Sequence, residues 1–293
     1  THASAVERLR GVAAALDASQ YDLVLFNVES TVHRDEHFAT LTRRDRADGL
    51  LVMSLPPPPS SLARLAASGV PVVLLDARGE GVPAVVTDDV DGGRLATHHL
   101  LTLGHERIAF IGDDPDNPLG FTAGSRREEG YRQTMTEAGV STPPGYVRHG
   151  PHVRSVARRI AEELLARRDR PTAIFASSDT QALGVLEAAR ARGLDVPGDV
   201  SVVGFDDVEV SGYAGLTTVR QPLFESGRLG ARVLLDALDD GHLPEPREYW
   251  LALELIERST TAPPRGRPRS SGSTHAPSAY PAEGLKRSVK EKR

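Results

Sequence analysis

The stretch Pro171-Thr172-Ala173-Ile174-Phe175-Ala176-Ser177-Ser178-Asp179 runs into a helical pattern from Thr180 to Arg192, a stop at Gly193 and a second apolar run from Val200 to Phe205. The apolar run Ala173 to Ala176 is strand-sized and apolar on both faces, which predicts a strand covered on both sides, as in a parallel sheet. Asp179 stands where a helix N-cap is needed, and Gly193 stands where a left-handed residue ends a helix. Residue types alone therefore specify one βα unit.

Outward from this unit the pattern repeats. Strands are predicted at Leu23 to Asn27, Leu50 to Met53, Val72 to Asp76, Ala84 to Thr87, Ile108 to Gly112, Ala173 to Ser177 and Val200 to Phe205. Helices are predicted at Ala3 to Asp17, Glu36 to Arg46, Ser60 to Ala67, Gly92 to Leu103, Ser125 to Glu137, Arg154 to Ala166, Thr180 to Arg192 and Leu223 to Leu238. Gly69, Gly104 and Gly139 repeat the helix stop of Gly193. Strands alternating with helices predict α/β architecture, and a break in the series near residue 88 predicts two similar lobes.

Composition narrows the function classes. A chain of 293 residues with 39% hydrophobic and 26% charged residues is expected to form two globular lobes. No apolar run approaches the roughly 18 residues of a spanning helix, which excludes a transmembrane role. The absence of cysteine excludes disulfides, thiolate nucleophiles and Cys-ligated metals. Between Pro263 and Arg293, eight Lys or Arg stand against two Glu, so this Pro-, Gly- and Ser-rich stretch carries +6 and residues 1 to 262 carry −11 of the net −5. Residues 263–293 are expected to be a disordered basic tail, and the acidic body is a poor surface for nucleic acid. Because the sequence opens at Thr1 without a basic segment leading into an apolar one, the native N-terminus is expected to lie upstream.

Enzyme signatures fail on inspection. The turn after Phe26 reads Asn27-Val28-Glu29-Ser30, without the glycines of a dinucleotide fingerprint, and no phosphate-binding P-loop sequence occurs. Gly124-Ser125 and Ser226-Gly227 do not complete a nucleophile elbow. His98-His99 and the pair His33 and His37 lack a third ligand at metal spacing, so no metal and no cofactor is expected. What remains is a row of polar residues at the predicted carboxyl ends of strands: Asn27, Asp76, Asp88, Ser178 with Asp179, and Asp206 with Asp207. Open parallel sheets place their ligand crevice there. Asp206 with Arg127 would offer a carboxylate and a guanidinium fork to a ligand rich in hydroxyls. The same residue types also serve as helix caps, turn formers or a solvated helix face, and for Asp179 the cap is the preferred reading.

Six segments in fixed order carry a resemblance. They are Arg46-Ala47-Asp48-Gly49-Leu50-Leu51-Val52, Asp88-Asp89-Val90-Asp91-Gly92-Gly93-Arg94-Leu95-Ala96, Leu103-Gly104-His105-Glu106-Arg107-Ile108-Ala109-Phe110-Ile111-Gly112, the Pro171 to Asp179 stretch, Val196-Pro197-Gly198-Asp199-Val200-Ser201-Val202-Val203-Gly204-Phe205-Asp206-Asp207, and Leu216-Thr217-Thr218-Val219-Arg220-Gln221-Pro222. Over about residues 3 to 262 the chain resembles the effector-binding core of the lac repressor (LacI/GalR) family of bacterial transcription regulators.

The resemblance implies a type I periplasmic-binding-protein-like fold, with two doubly wound parallel-sheet lobes joined by three crossover strands. It implies lobes at residues 1–88 plus 222–241 and at 89–221 plus 242–262, with Gln221-Pro222 at the hinge. It implies a small effector, a sugar or sugar-like molecule, between them, touched by Asp206, Arg127, Ser178, His152 and Phe121. Asp88, Asp179 and Gln221 join this candidate ligand-binding set. Ser178 departs from the Asn of many sugar-binding members, and His152 from a common aromatic. The family's helix-turn-helix headpiece, which as a dimer would hold operator DNA, has no counterpart in this sequence, so the chain alone is not expected to bind an operator. The expected protein is a cytoplasmic homodimeric regulator without enzymatic activity. The alternatives are an extracytoplasmic sugar-binding protein of an ABC transporter and a glycoside hydrolase using Asp179 and Asp206.

Overall fold

A computed structural model of the chain describes residues 3–17, 19–41 and 46–265. The chain forms two β-sheets, each sandwiched between helices. The first sheet has the order β1 (Leu50–Met53), β2 (Val72–Leu75), β3 (Ala84–Val86) and β9 (Glu248–Trp250), all parallel. The second has the order β10 (Glu254–Ile256), β8 (Thr217–Arg220), β7 (Ser201–Asp206), β6 (Ala173–Ala176), β4 (Ile108–Asp113) and β5 (Val147–Gly150). It is parallel except for the edge strand β10.

Both faces of each sheet are apolar because both are covered. On the first sheet, Val12 of α1 (Ala3–Leu16) and Ala231 and Leu234 of α9 (Leu223–Asp240) cover one face. Phe38 of α2 (Thr31–Leu41) and Leu65 of α3 (Pro59–Ser68) cover the other. On the second sheet, α4 (Asp89–Thr102) and α5 (Ala123–Glu137) pack Ala96, Leu100, Tyr131 and Met135 against Phe110, Phe175 and Phe205. The opposite face meets α6 (Arg154–Ala166) and α7 (Asp179–Ala191) through Ala157, Ile160, Ala182 and Val185. Each fully buried Leu or Phe here contributes about 2 kcal/mol of transfer free energy.

Close helix approach depends on glycine. A β-carbon on Gly93 would lie 2.1 Å from the carbonyl oxygen of Arg127, and one on Gly130 would lie 2.0 Å from that of Val90. α4 and α5 therefore touch backbone to backbone, which brings Arg127 beside the start of α4. Gly11 and Gly227 serve α1 and α9 in the same way, with contacts of 2.0 and 1.9 Å.

The chain passes between the sheets at residues 87–88, 221–222 and 251–253. The last crossing differs from the expected boundary between 241 and 242, because Glu248–Trp250 hydrogen-bonds to β3 of the first sheet. Residues 21–29 form no strand, and Leu23, Val24, Leu25 and Phe26 are between 43% and 67% exposed. A strand requires a partner ladder, and apolar side chains alone do not supply one. The helix predicted at Glu36 to Arg46 instead begins at Thr31, and residues 42–45 lie outside the described residues. Residues 266–293 of the predicted tail also lie outside them, but Arg265 is docked on the second lobe, with Nη2 at 2.8 Å from Asp195 and Nη1 at 3.0 Å from Asp199.

Candidate functional site

In the second sheet β4 lies between β5 and β6, so the chain leaves β4 to one side and returns on the other. Ligand crevices open at the carboxyl ends of strands beside such a switch point. Four non-glycine residues with positive φ, namely Ser54 (56°), Asp76 (56°), Asp206 (118°) and Asp207 (56°), stand at or just beyond the carboxyl ends of β1, β2 and β7. Each such conformation costs about 1–3 kcal/mol and persists only where its surroundings enforce it.

Arg127 enters the site from the first turns of α5. Its Nε donates to Asp89 Oδ1 at 2.8 Å, its Nη1 donates to the Ser177 carbonyl at 2.6 Å, and its guanidinium lies 3.7 Å from the Phe205 ring centroid. Nη1 is also 3.8 Å from Asp206 Oδ1. Asp206 is buried and accepts a 2.6 Å hydrogen bond from Gln221 Nε2. The other end of that amide, Oε1, accepts from Arg8 Nη2 at 3.1 Å. Arg8 Nη2 lies 3.2 Å from Asp76 Oδ2, which also accepts from Ser54 Oγ at 3.0 Å. A continuous polar chain thus links the first sheet to the second through Gln221, where the chain crosses between them.

Burial pushes the carboxyls of Asp89 and Asp206 up, against the pull of Arg127, while Asp89, Asp206 and Asp76 outweigh burial and hold Arg127 more firmly charged. Beside them, His152 Nδ1 lies 2.9 Å from Asp113 Oδ1, which also accepts from Gln181 Nε2 at 3.0 Å. Burial opposes a charged His152, yet the bond to Asp113 and the charges of Asp113 and Asp206 raise its pKa above the usual 6.5.

The predicted roles of three candidates change. Ser178, not Asp179, caps α7: its Oγ accepts from Gln181 N at 3.2 Å. Asp179 is fully buried and accepts from Val208 N at 3.0 Å, Ser211 Oγ at 2.6 Å and Thr218 Oγ1 at 2.6 Å. A β-carbon on Gly204 would stand 2.3 Å from its Oδ1, so glycine there leaves the carboxyl room. Burial, reinforced by Asp206, pushes Asp179 up to about 7. Asp88 caps α4, accepting from Val90 N at 3.1 Å and Asp91 N at 3.2 Å. Phe121 is 43% exposed, its backbone clasped by the Asn117 side chain.

A cavity of about 180 Å³ lies where the strand ends of the first lobe face the starts of α4 and α5, lined by Ser54, Asp76, Thr87, Asp89 and Arg126 among others. The structure thus unites Asp206, Arg127 and Gln221 in one network and adds Asp89, Arg8, Asp113 and Gln181, which sequence reading missed. For Asp89 the signal was adjacency, since of two neighbouring aspartates at a helix start the first is the cap and the second is free to face inward. Arg8 left no such trace. Ser177 and Ser178 both donate to Gln181 Oε1, an amide that accepts no proton, so neither hydroxyl is activated as a nucleophile. Among the described residues no three His, Asp or Glu cluster as metal ligands, and no helix is long and apolar enough to cross a membrane.

Residues 97–261 match the periplasmic binding protein-like domain family. The HTH-type transcriptional repressor PurR of Aliivibrio salmonicida is 30% identical over 260 residues, covering 87% of this chain and 76% of the relative. That of Escherichia coli O1:K1 / APEC is 32% identical over 248 residues, covering 83% and 71%. Among solved structures, a LacI family transcriptional regulator from Enterococcus faecium with bound ribose superimposes with a TM-score of 0.77 at 29% identity, covering 89% of this chain and 95% of that one. The regulator CelR in complex with cellobiose gives 0.76 at 32% identity, covering 88% and 79%.

Proposed function

The chain belongs to the LacI/GalR family of transcriptional regulators, and from that premise we propose that it is the effector-sensing core of a repressor whose cleft takes a small sugar-like metabolite and transforms nothing. The observation that carries this reading is the buried polar chain from Ser54 and Asp76, which line the cavity, through Arg8 and Gln221 to Asp206 and Arg127, which couples both lobes. Asp206 and Arg127 grip ligand hydroxyls, His152 adds a donor, and Phe121 closes the rim with an apolar face. Ser178, Asp179 and Asp88 hold the strand ends in place, and Gln221 is the hinge. Ribose and cellobiose bound to the similar regulators support a carbohydrate-sized ligand.

The effector shifts the lobes only by its differential affinity for closed over open. That shift reaches operator DNA through a helix-turn-helix of the full protein, acting as a cytoplasmic homodimer, with a coupling of about 1–3 kcal/mol. Calorimetric titration with sugars and nucleosides tests the reading: the Asp206→Ala variant should lose affinity for whichever ligand binds by more than about tenfold. Unchanged affinity would remove Asp206 from the site.

A further inference from the structure

Asp76, Arg78, Asp89 and Arg126 are the charged side chains that line the cavity. Three of them have a partner of opposite charge within hydrogen-bond distance: Asp76 has Arg8 at 3.2 Å, Asp89 has Arg127 at 2.8 Å and Arg78 has Glu248 at 3.1 Å. Arg126 does not. Its Nη2 lies 3.8 Å from Asp88 Oδ1, an oxygen already spent on the N–H groups of Val90 and Asp91.

The unspent capacity around the cavity has one sign. Among the described residues, two buried side-chain polar atoms lack a hydrogen-bond partner: Arg126 Nε, and Nε of Arg8, the guanidinium that holds Asp76. Both are donors, so what this cleft lacks is an acceptor. The Arg126 side chain keeps 35% exposure, which leaves the rest of its fork open to a ligand. Thr122, four residues earlier, lines the same cavity and makes no capping bond with its hydroxyl. Carboxylates and phosphates are the acceptors whose paired oxygens match a guanidinium fork, and their bonds to it are strengthened by charge.

We infer that the metabolite carries an acidic group, a carboxylate or a phosphate, seated against Arg126 and Thr122. Asp76 and Asp89 repel a second anion and so confine the acid to the Arg126 end, where they leave the hydroxyls of the ligand to the remaining walls. This inference rests on the proposed cleft and specifies the ligand class: an acidic sugar.

Calorimetry at neutral pH with matched pairs tests it, using glucuronate against glucose, galacturonate against galactose and glucose 6-phosphate against glucose, with glucuronamide as the neutral control. At least one acid should bind about tenfold tighter than its neutral twin, and whether glucuronate or glucose 6-phosphate gains more tells carboxylate from phosphate. Amidation and Arg126→Gln should each erase that preference. Arg126→Lys, which keeps the charge, should retain part of it, separating loss of the cation from loss of the fold. Equal or tighter binding of the neutral sugars, or a preference that survives Arg126→Gln, overturns the inference while the cleft reading stands. No binding by any acid at millimolar concentration also overturns it, and if hexoses and nucleosides fail as well, the cleft reading falls with it.

Discussion

At the carboxyl end of the second sheet, Arg127 is held by Asp89 at 2.8 Å, by the Ser177 carbonyl at 2.6 Å and by the face of Phe205 at 3.7 Å. At the corresponding end of the first sheet, Arg8 touches Asp76 at 3.2 Å and Gln221 at 3.1 Å and leaves its buried Nε without a hydrogen bond. Both are buried, but among the described residues Arg127 leaves no buried nitrogen without a hydrogen bond, whereas Arg8 leaves one. A guanidinium fixed on several sides is preorganised to read a ligand, whereas one with a donor to spare can exchange partners when the lobes move. On the proposed function, the second lobe is thus the reader and the first the responder.

The sharpest way to break this contrast is to remove the better-held cation. Arg127→Met would leave Asp89 and Asp206 buried without their partner, a loss of about 3–5 kcal/mol. Urea unfolding should show it, and calorimetry should show no effector binding by whatever variant protein stays folded. A cost near 1 kcal/mol would mean that the network around Arg127 is not what fixes the second wall.

The second lobe is also tied at its far end. His105 is 1% exposed, with Nδ1 at 2.9 Å from Thr172 Oγ1 and Nε2 at 3.1 Å from Ser201 Oγ and 2.9 Å from the Ala262 carbonyl. Burial pushes it down to about 4 from 6.5. The unfolded chain therefore takes up this proton first as pH falls, and the contribution of neutral His105 to stability drains between pH 6.5 and 4, by up to about 3 kcal/mol, while Asp179, pushed up to about 7, contributes in the opposite sense. Hydrogen exchange in β6 and β7 should therefore lose more protection through this window in the parent than in His105→Gln, where only the opposing contribution of Asp179 remains, while β1 and β2 respond alike in both. Equal losses in both lobes would erase the distinction.

Arg8→Met is expected to cost less, about 1–2 kcal/mol, because it removes two polar contacts and strands only Asp76, whose side chain keeps 12% exposure. Its larger signature should be in coupling: the ligand still binds the second wall, but the closure measured by small-angle scattering shrinks. A cost matching that of Arg127→Met would make the two walls equivalent.

How much of this was legible beforehand follows from locality. The buried strands at 50–53, 72–75, 84–86, 108–113, 173–176 and 201–206 announced themselves as apolar runs, because a strand covered on both faces is mostly apolar on both. Val147–Gly150, Glu248–Trp250 and Glu254–Ile256 did not, since they are sheet-edge strands, at most half-buried, and read as polar, and neither did the interior strand Thr217–Arg220, whose buried threonines read as polar too. Leu23 to Phe26 misled in the opposite sense: the residues suit a strand, but pairing is a long-range event that composition cannot report. In the site, Asp206 and Arg127 were found through the resemblance and the strand-end position. Arg8 was invisible because nothing in a helical sequence says that its arginine faces a cleft. The cap at residue 178 was displaced by one position because Ser and Asp cap equally well, and only burial of Asp179 decides between them.

The same one-residue ambiguity at Asp88 and Asp89 yields the smallest and most discriminating test. Asp88 is 48% exposed at its side chain and accepts from two backbone N–H groups, whereas the Asp89 side chain, one residue on, is 9% exposed and holds Arg127. Asp88→Ala removes a cap, so thermal unfolding should record a loss of about 1 kcal/mol. No buried charge loses its partner, because Arg126 stands at 3.8 Å in contact with solvent. Effector affinity in Asp88→Ala should therefore stay within about twofold of the parent, since an exposed pair is worth little. If affinity instead collapses as in Asp206→Ala, Asp88 is a wall of the cleft in its own right, and the helix start that positions Asp89 is part of the reader.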